Sequence, residues 1–309
     1  MPVTPDFDPR QPFLAATALA SGVTPKQLRG PLFRRLFRGV YVAAGTAPDP
    51  VQRVRAALLL HPPGAFASHS SAARLFGVPL PPGLDEEHVS VADARDRRPR
   101  AGVRSHAAPP GTPVVLFRGV RASSPAQLFV ELARLLRLVD LVVVGDHLVR
   151  RGWVTPEQIV AHAARSSDAA ARRAAGYVRG EVDSPMETRL RMLLVLAGLP
   201  EPVVNHVIRD GQGRVLMRFD LSYPDLRIVI EYDGRQHRAD LDQWDRDEQR
   251  KDWFDDAGWR HVPVFSRGIY VRPDQTLARV VRALASRGVL VTPGDDWRPH
   301  FPHHASPYT

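Results

Sequence analysis

Asp220, Glu231 and Asp233 are the residues whose type and spacing most suggest chemistry. Glu231 and Asp233 flank Tyr232 at the exit of an apolar run, RIVIEYDG. Alternate residues of a strand share a face, so both acids point the same way. If Asp220, near the end of the preceding strand, faces them across a hairpin, two or three carboxylates meet at one sheet edge. Ionised acids held together repel one another, and a divalent cation relieves the repulsion. Mg²⁺, or Mn²⁺ in its place, takes oxygen ligands and retains waters. A cation held this way beside a basic surface suits phosphodiester hydrolysis, because it activates water and neutralises phosphate charge. A structural reading competes: Asp220 ends a strand, and Glu231-Tyr232-Asp233-Gly234 is a polar strand end before a turn. Against it, an acid placed directly after a buried apolar run is costly unless paired.

Three further groups stand near these acids in sequence. Glu187 lies in Ser184-Pro185-Met186-Glu187, which fits a capping box in which the Glu reaches back to the N-cap amide. Structure alone accounts for it, and a catalytic role must outcompete that reading. Gln236 and His237 follow the acidic strand end, where His237 could act as a general base or orient a water. On the charged helix expected over 240–257, Arg246 and Arg250 are four apart and share a face, with Lys251 adjacent. These cations could contact phosphate, or equally pair with Asp242, Asp247 or Glu248.

The elements that must position these residues are readable. Ser184 and Pro185 start a helix over 184–198, with Met186, Leu190, Leu193, Leu194 and Ala197 at helical spacing. Residues 203–223 read as a hairpin turning at Asp210–Gly213. The contiguous Ile228, Val229 and Ile230 predict a buried strand. The charged helix, a strand over 260–266 and a helix opened by Pro273 complete the order αβββαβα. Upstream, helices are expected over 10–21, 22–30, 50–61 and 68–77, with a basic, then β-like stretch at 32–45. Two short helices, a basic turn and a strand after Arg38-Gly39 follow the order of a winged helix, although many small α+β domains share it. Residues 88–121 predict short strands around an Arg-rich turn, Arg95, Arg97, Arg98 and Arg100, either a solvated hairpin tip or a phosphate contact. Helices are then expected over 125–136, 138–150 and from Thr155-Pro156 onward.

Composition narrows the function classes. The 309 residues contain no cysteine, which excludes disulfides, Cys-ligated zinc and thiol nucleophiles. No run of about 18 apolar residues predicts a membrane span, and the first residues lack the pattern of a secretory signal. A cytoplasmic protein is expected. The net charge of +9 is unevenly spread. Residues 1–180 hold 24 basic and 13 acidic side chains, whereas 181–309 hold 18 and 20. An excess confined to the first part points to a polyanionic partner there, although the 40 Arg against 2 Lys also look like a coding bias.

The stretches SPMETRLRMLLVLAGLPEP, RFDLSYPDLRIVIEYDGRQH and DRDEQRKDWFDDAGWRHVPV resemble the PD-(D/E)XK, restriction-endonuclease-like superfamily. The likeness is to its branch related to very-short-patch-repair endonucleases, and it covers 184–287. The resemblance implies Asp220 and Glu231 as the motif carboxylates and Mg²⁺ ligands, the carbonyl of Tyr232 as a further ligand, and Glu187 as the acid of the leading helix. The superfamily places Lys two residues after the second acid. Here that position is Asp233, and Gln236, His237 or a helix residue such as Lys251 could substitute. GVTPKQLRGPLFRRLFRGVYVAAG and FASHSSAARLFGVPLP resemble AbiEi-type antitoxin and transcriptional-regulator proteins. That likeness implies a winged helix with Lys26, Arg29, Arg34, Arg35 and Arg38 on a DNA backbone.

The expected fold is therefore α/β: an α+β winged-helix region over 1–85 and a second α/β domain over 86–165, then a linker over 166–183. A restriction-endonuclease-like αβββαβ core over 184–290 and an irregular tail over 291–309 follow. Two functions follow from the resemblances. One is a Mg²⁺-dependent endodeoxyribonuclease. The other is a non-catalytic DNA-binding regulator or antitoxin, with a toxin gene as its partner.

Overall fold

The computed structural model describes residues 7–234 and 250–302, and the fold is α/β. By internal contacts the chain divides into two compact units: Met1–Leu136 with Ala161–Ala171, and Arg137–Val160 with Arg172–Thr309.

The first unit opens with β1 (Phe13–Leu14), α1 (Ala15–Ala20), α2 (Pro25–Leu28), β2 (Phe33–Phe37) and β3 (Val40–Ala43). The strands form an antiparallel sheet in the order β1-β3-β2. The helix expected over 10–21 thus starts only at Ala15. Phe13 is held in the sheet opposite Tyr41 and is buried with Ala18 and Leu28. Helix α2 is a single turn built as its sequence predicts: Pro25 begins it, and Thr24 and Gln27 cap each other. Arg38-Gly39 closes the β2–β3 hairpin, where Gly39 at φ +85° takes a conformation that costs other residues strain.

The unit continues with α3 (Pro50–Leu58), β4 (Phe66–Ala67), α4 (His69–Leu75), β5 (Glu87–Val91), β6 (Val103–Ala107), β7 (Val114–Phe117), β8 (Val120–Ser123) and α5 (Pro125–Leu132). The sheet order is β6-β5-β4-β8-β7. Because β4 pairs with β5, one sheet runs across residues 85–86, where a domain boundary was expected. Strands β5 and β6 are parallel, so the Arg-rich stretch is a crossover and not a hairpin tip. This arrangement buries Val89 and Val103 together with Phe37, Val40, Ala56 and Ala57.

Helices α6 (Leu138–Arg150), α7 (Pro156–Ala164) and α8 (Ala169–Ala175) follow. The expected linker over 166–183 is folded chain: it holds α8, with Ala171, Ala174, Ala175, Val178 and Val182 buried. The second unit then runs through α9 (Pro185–Leu196), β9 (Val203–Arg209), β10 (Val215–Tyr223), β11 (Ile228–Asp233), α10 (helical residues 250–256), β12 (Arg260–Phe265), α11 (Ser266–Tyr270) and α12 (Pro273–Ala285). Its sheet has the order β12-β11-β10-β9, with β11 and β12 parallel and the other pairs antiparallel. Ile228, Val229 and Ile230 are all fully buried. Neighbours on a strand point to opposite faces, so both faces of β11 are covered. Helix α9 is tied to α6 by a buried ion pair, Arg191 to Asp146, at 3.1 Å. Among the described residues of the tail, 291–302, the regular structure is a 3-10 turn at Arg298–His300, and Trp297 and Phe301 are buried. Among the described residues no helix is long and apolar enough to cross a membrane.

Candidate active site

The site forms where β10 and β11 lie side by side beneath the start of α9. Their ladder pairs Leu221 with Ile230, which brings Asp220 level with the Glu231 end of β11. There the Tyr232 amide donates to Asp220 Oδ2 at 2.9 Å, so a side chain takes the place of a backbone acceptor. Burial pushes the Asp220 carboxyl up to about 7. The charge of Glu187 adds to the rise, as does that of Glu231, against the Tyr232 hydrogen bond. Glu231 moves the other way. Burial opposes its ionisation, but His261 and Arg250 outweigh burial and hold it below the ordinary range. Two neighbouring acids thus have opposite proton affinities, an arrangement typical of sites that separate acid and base roles.

The partners of Glu231 have their own support. His261 Nε2 lies 3.1 Å from Glu231 Oε2, and Arg250 Nη2 pairs with Oε1. Both partners rest on Phe254, which is buried with Phe219 and Val229. The His261 ring stacks on Phe254 at 4.6 Å between centroids, and the Arg250 guanidinium sits 5.4 Å above the same ring. The sequence reading missed His261. Its signal was its place two residues into the strand parallel to β11, which became visible only with the β11–β12 register.

Glu187 is buried at the first turn of α9. Ser184 caps that helix by accepting from the Glu187 amide at 3.2 Å. The Glu187 carboxylate does not close the expected capping box. It accepts instead from the Asp183 amide, one residue before the cap, at 2.9 Å. Asp233 ends β11, paired in register with Phe265. Lys251 is exposed on α10. Arg250 meets Glu231; the helical acids Asp242, Asp247 and Glu248 weighed from sequence, with Gln236, His237 and Arg246, lie outside the described residues. In the first unit Lys26, Arg29, Arg34, Arg35 and Arg38 are all exposed. Arg34 is also structural, since its Nη2 donates to the Thr46 carbonyl at 2.7 Å.

A second cluster was not foreseen. Among the described residues, His69, His88 and His106 are the one group of three or more His, Asp or Glu side chains whose ligand atoms gather, within 4.8 Å of one another. The trio Glu187, Asp220 and Glu231 is not drawn together to that degree. His88 and His106 come from parallel strands, and His69 begins α4. Burial, reinforced by the neighbouring histidines, lowers His69 to about 3, and burial together with His106 lowers His88 to about 4. All three lie in the first unit, and their spacing in sequence gave no signal.

No family model matches the chain. The "Uncharacterized protein MT2308" of Mycobacterium tuberculosis (strain CDC 1551 / Oshkosh) is 28% identical over 258 residues, covering 81% of this chain and 92% of that protein. The "Uncharacterized protein Rv2248" of strain ATCC 25618 / H37Rv gives the same figures, 28% identity over 258 residues. Among solved structures, the RV2827C protein from Mycobacterium tuberculosis superposes with a TM-score of 0.37 and 16% identity, over 66% of this chain and 85% of that one.

Proposed function

We propose that the protein is a DNA-binding, Mg²⁺-dependent endonuclease of the restriction-endonuclease-like class, acting in the cytoplasm. The observation that carries the reading is geometric: Asp220 stands level with the Glu231 end of β11 and is held there by the Tyr232 amide at 2.9 Å, with Glu187 buried at the first turn of α9. Burial and the acidic neighbours push Asp220 up accordingly, to about 7. The donors there are all oxygen: the Asp220 and Glu231 carboxylates, the Tyr232 carbonyl and, from α9, Glu187. That set suits a hard divalent cation, whose charge would relieve the crowding on Asp220. When bound, the ion would supply an activated water and charge neutralisation at the phosphate.

The chain's own groups have defined parts in this reading. The Tyr232 amide fixes the rotamer of Asp220. His261 and Arg250 keep Glu231 ionised and aimed. Arg250 stands beside Glu231, and with Asp233 at the usual lysine position it is a candidate for the missing charge. DNA is held by the exposed cations Lys26, Arg29, Arg35 and Arg38 of the first unit, chiefly through the β2–β3 hairpin. The single turn of α2 is short for a helix that reads a groove.

One observation favours the alternative, a regulator or antitoxin with an inert nuclease fold. Glu231 is already neutralised by Arg250, as a carboxylate without a metal role would be. The readings separate in an assay of supercoiled, nicked, branched and mismatched DNA with Mg²⁺ or Mn²⁺, run beside Glu231→Ala. Metal-dependent cutting lost in the variant supports the nuclease. No cutting of any substrate, together with salt-sensitive binding to the gene's own promoter that survives Asp220→Ala, supports the regulator. A nucleotidyltransferase-type toxin gene next door would add to the second reading.

A further inference from the structure

The histidine cluster of the first unit has the composition of a metal centre and no part in the site above. His88 on β5 and His106 on β6 are brought side by side because the strands run parallel with Ser90 opposite His106. Their nearest nitrogens, His88 Nδ1 and His106 Nε2, are 3.1 Å apart. His69 stacks on His106 at 4.1 Å between ring centroids. We propose that His69, His88 and His106 bind a divalent transition-metal ion of the Zn²⁺ class, with a further coordination position open to the adjoining cleft.

Four features support the site. First, tetrahedral zinc with Zn–N of about 2.0–2.1 Å needs ligand nitrogens about 3.3 Å apart. The three ligand atoms lie within 4.8 Å of one another, at most about 1.5 Å beyond that spacing. Second, a carboxylate stands behind one ligand. Glu131, whose side chain is 9% exposed, accepts the His69 backbone N–H at 2.9 Å and lies 3.8 Å from His69 Nδ1. Ser123 and Gln127 hold that carboxylate in turn. The acid thereby fixes the backbone of the ligand residue, while the ring is oriented by Ser68 Oγ, 3.1 Å from Nδ1. Third, His69 has φ +46°, the left-handed region, which is costly for a residue with a side chain and is kept where the surroundings demand it. Fourth, His69 and His106 border a cleft of about 490 Å³ whose walls also carry Arg134, His162 and Arg165. A metal there would be open on one side, the pattern of a reactive and not a purely structural zinc. Imidazole ligands select zinc, cobalt, nickel or copper over Mg²⁺, so this centre is chemically distinct from the carboxylate site.

The test uses the full-length, tag-free chain, stripped of metal and titrated with Co²⁺ and then Zn²⁺. One equivalent of Co²⁺ is expected to give the intense visible absorption of four-coordinate Co²⁺ and to be displaced by Zn²⁺. His106→Phe, which keeps ring volume, and His69→Gln should weaken binding by at least about tenfold. Asp220→Asn should leave it unchanged, which separates this site from the nuclease reading. Imidazole NMR signals of the unaltered protein provide a check that needs no variant: Zn²⁺ should shift those of His69, His88 and His106. The proposal is overturned if no stoichiometric Co²⁺ or Zn²⁺ binds, if His106→Phe and His69→Gln bind as tightly as the parent, or if Zn²⁺ leaves these signals unmoved.

Discussion

Replacing Arg191 by Met removes the charge that holds α9, and with it Glu187, against α6. Arg191 is fully buried and Asp146 is 2% exposed. The guanidinium lies 3.1 Å from Asp146 Oδ2, donates to the Tyr177 carbonyl at 2.7 Å and approaches Glu201 Oε1 at 3.3 Å. Without it, Asp146 keeps, among the described residues, two neutral donors, the Arg179 amide at 2.8 Å and the Thr188 hydroxyl at 2.9 Å. An uncompensated buried charge of this kind costs about 3–5 kcal/mol. Exchanging both partners, Arg191→Met with Asp146→Leu, leaves no buried charge at that contact, so the pair should fall short of additivity by about 1–3 kcal/mol. The pH dependence has a definite sign. Burial already pushes Asp146 above the ordinary range, against Arg191, and losing Arg191 pushes it further. A carboxyl raised in the folded state binds more protons there than in the unfolded chain. Its contribution is therefore present at low pH and lost as pH rises through the folded value. The single variant should be penalised less at pH 5 than at pH 8. Because two units need not unfold together, the assay is hydrogen exchange at α9 amides. A cost under about 1 kcal/mol, strict additivity, or a penalty independent of pH would refute the reasoning.

Two other perturbations test parts of the same scheme. Phe254→Ala should cost about 3–5 kcal/mol by chemical denaturation and should weaken cleavage beyond what instability explains, because His261 and Arg250 lose the ring they rest on. Phe254→Leu should recover most of the stability and less of the activity. Arg35→Gln with Arg38→Gln, both exposed on the β2–β3 hairpin, should weaken DNA binding for all sequences alike. Each lost phosphate contact should lower the salt slope by about 1 in fluorescence anisotropy.

Much of the second unit was legible because its signals are local. Ser184-Pro185 starts α9 where expected, and the contiguous Ile228–Ile230 run marks a strand covered on both faces. The pairing of Asp220 with the end of β11 followed from the hairpin. What escaped depends on distant partners. Phe13–Leu14 is a strand only because Tyr41 and Val40 lie beside it, so the helical pattern of 10–21 misled. Nothing within 88–107 says that β5 and β6 are parallel, and without that register His88 and His106 are two unrelated histidines. Arg250 reads from sequence as a phosphate contact or the partner of a helical acid, and its pairing with Glu231 on β11 was not foreseen. Charge patterning along one helix cannot reveal an acid on a strand 19 residues earlier.

The central claim concerns Asp220 and Glu231. Its most direct measurement is the rate of Mg²⁺-dependent nicking of supercoiled DNA by the parent chain, Asp220→Asn and Glu231→Gln, each with matched thermal unfolding and each repeated with chelator. The expected result is nicking by the parent that chelator abolishes, reduced to background in both variants while their DNA affinity is retained. Nicking that persists in both folded variants, or a folded, DNA-binding parent that nicks nothing with either Mg²⁺ or Mn²⁺, would contradict the assignment.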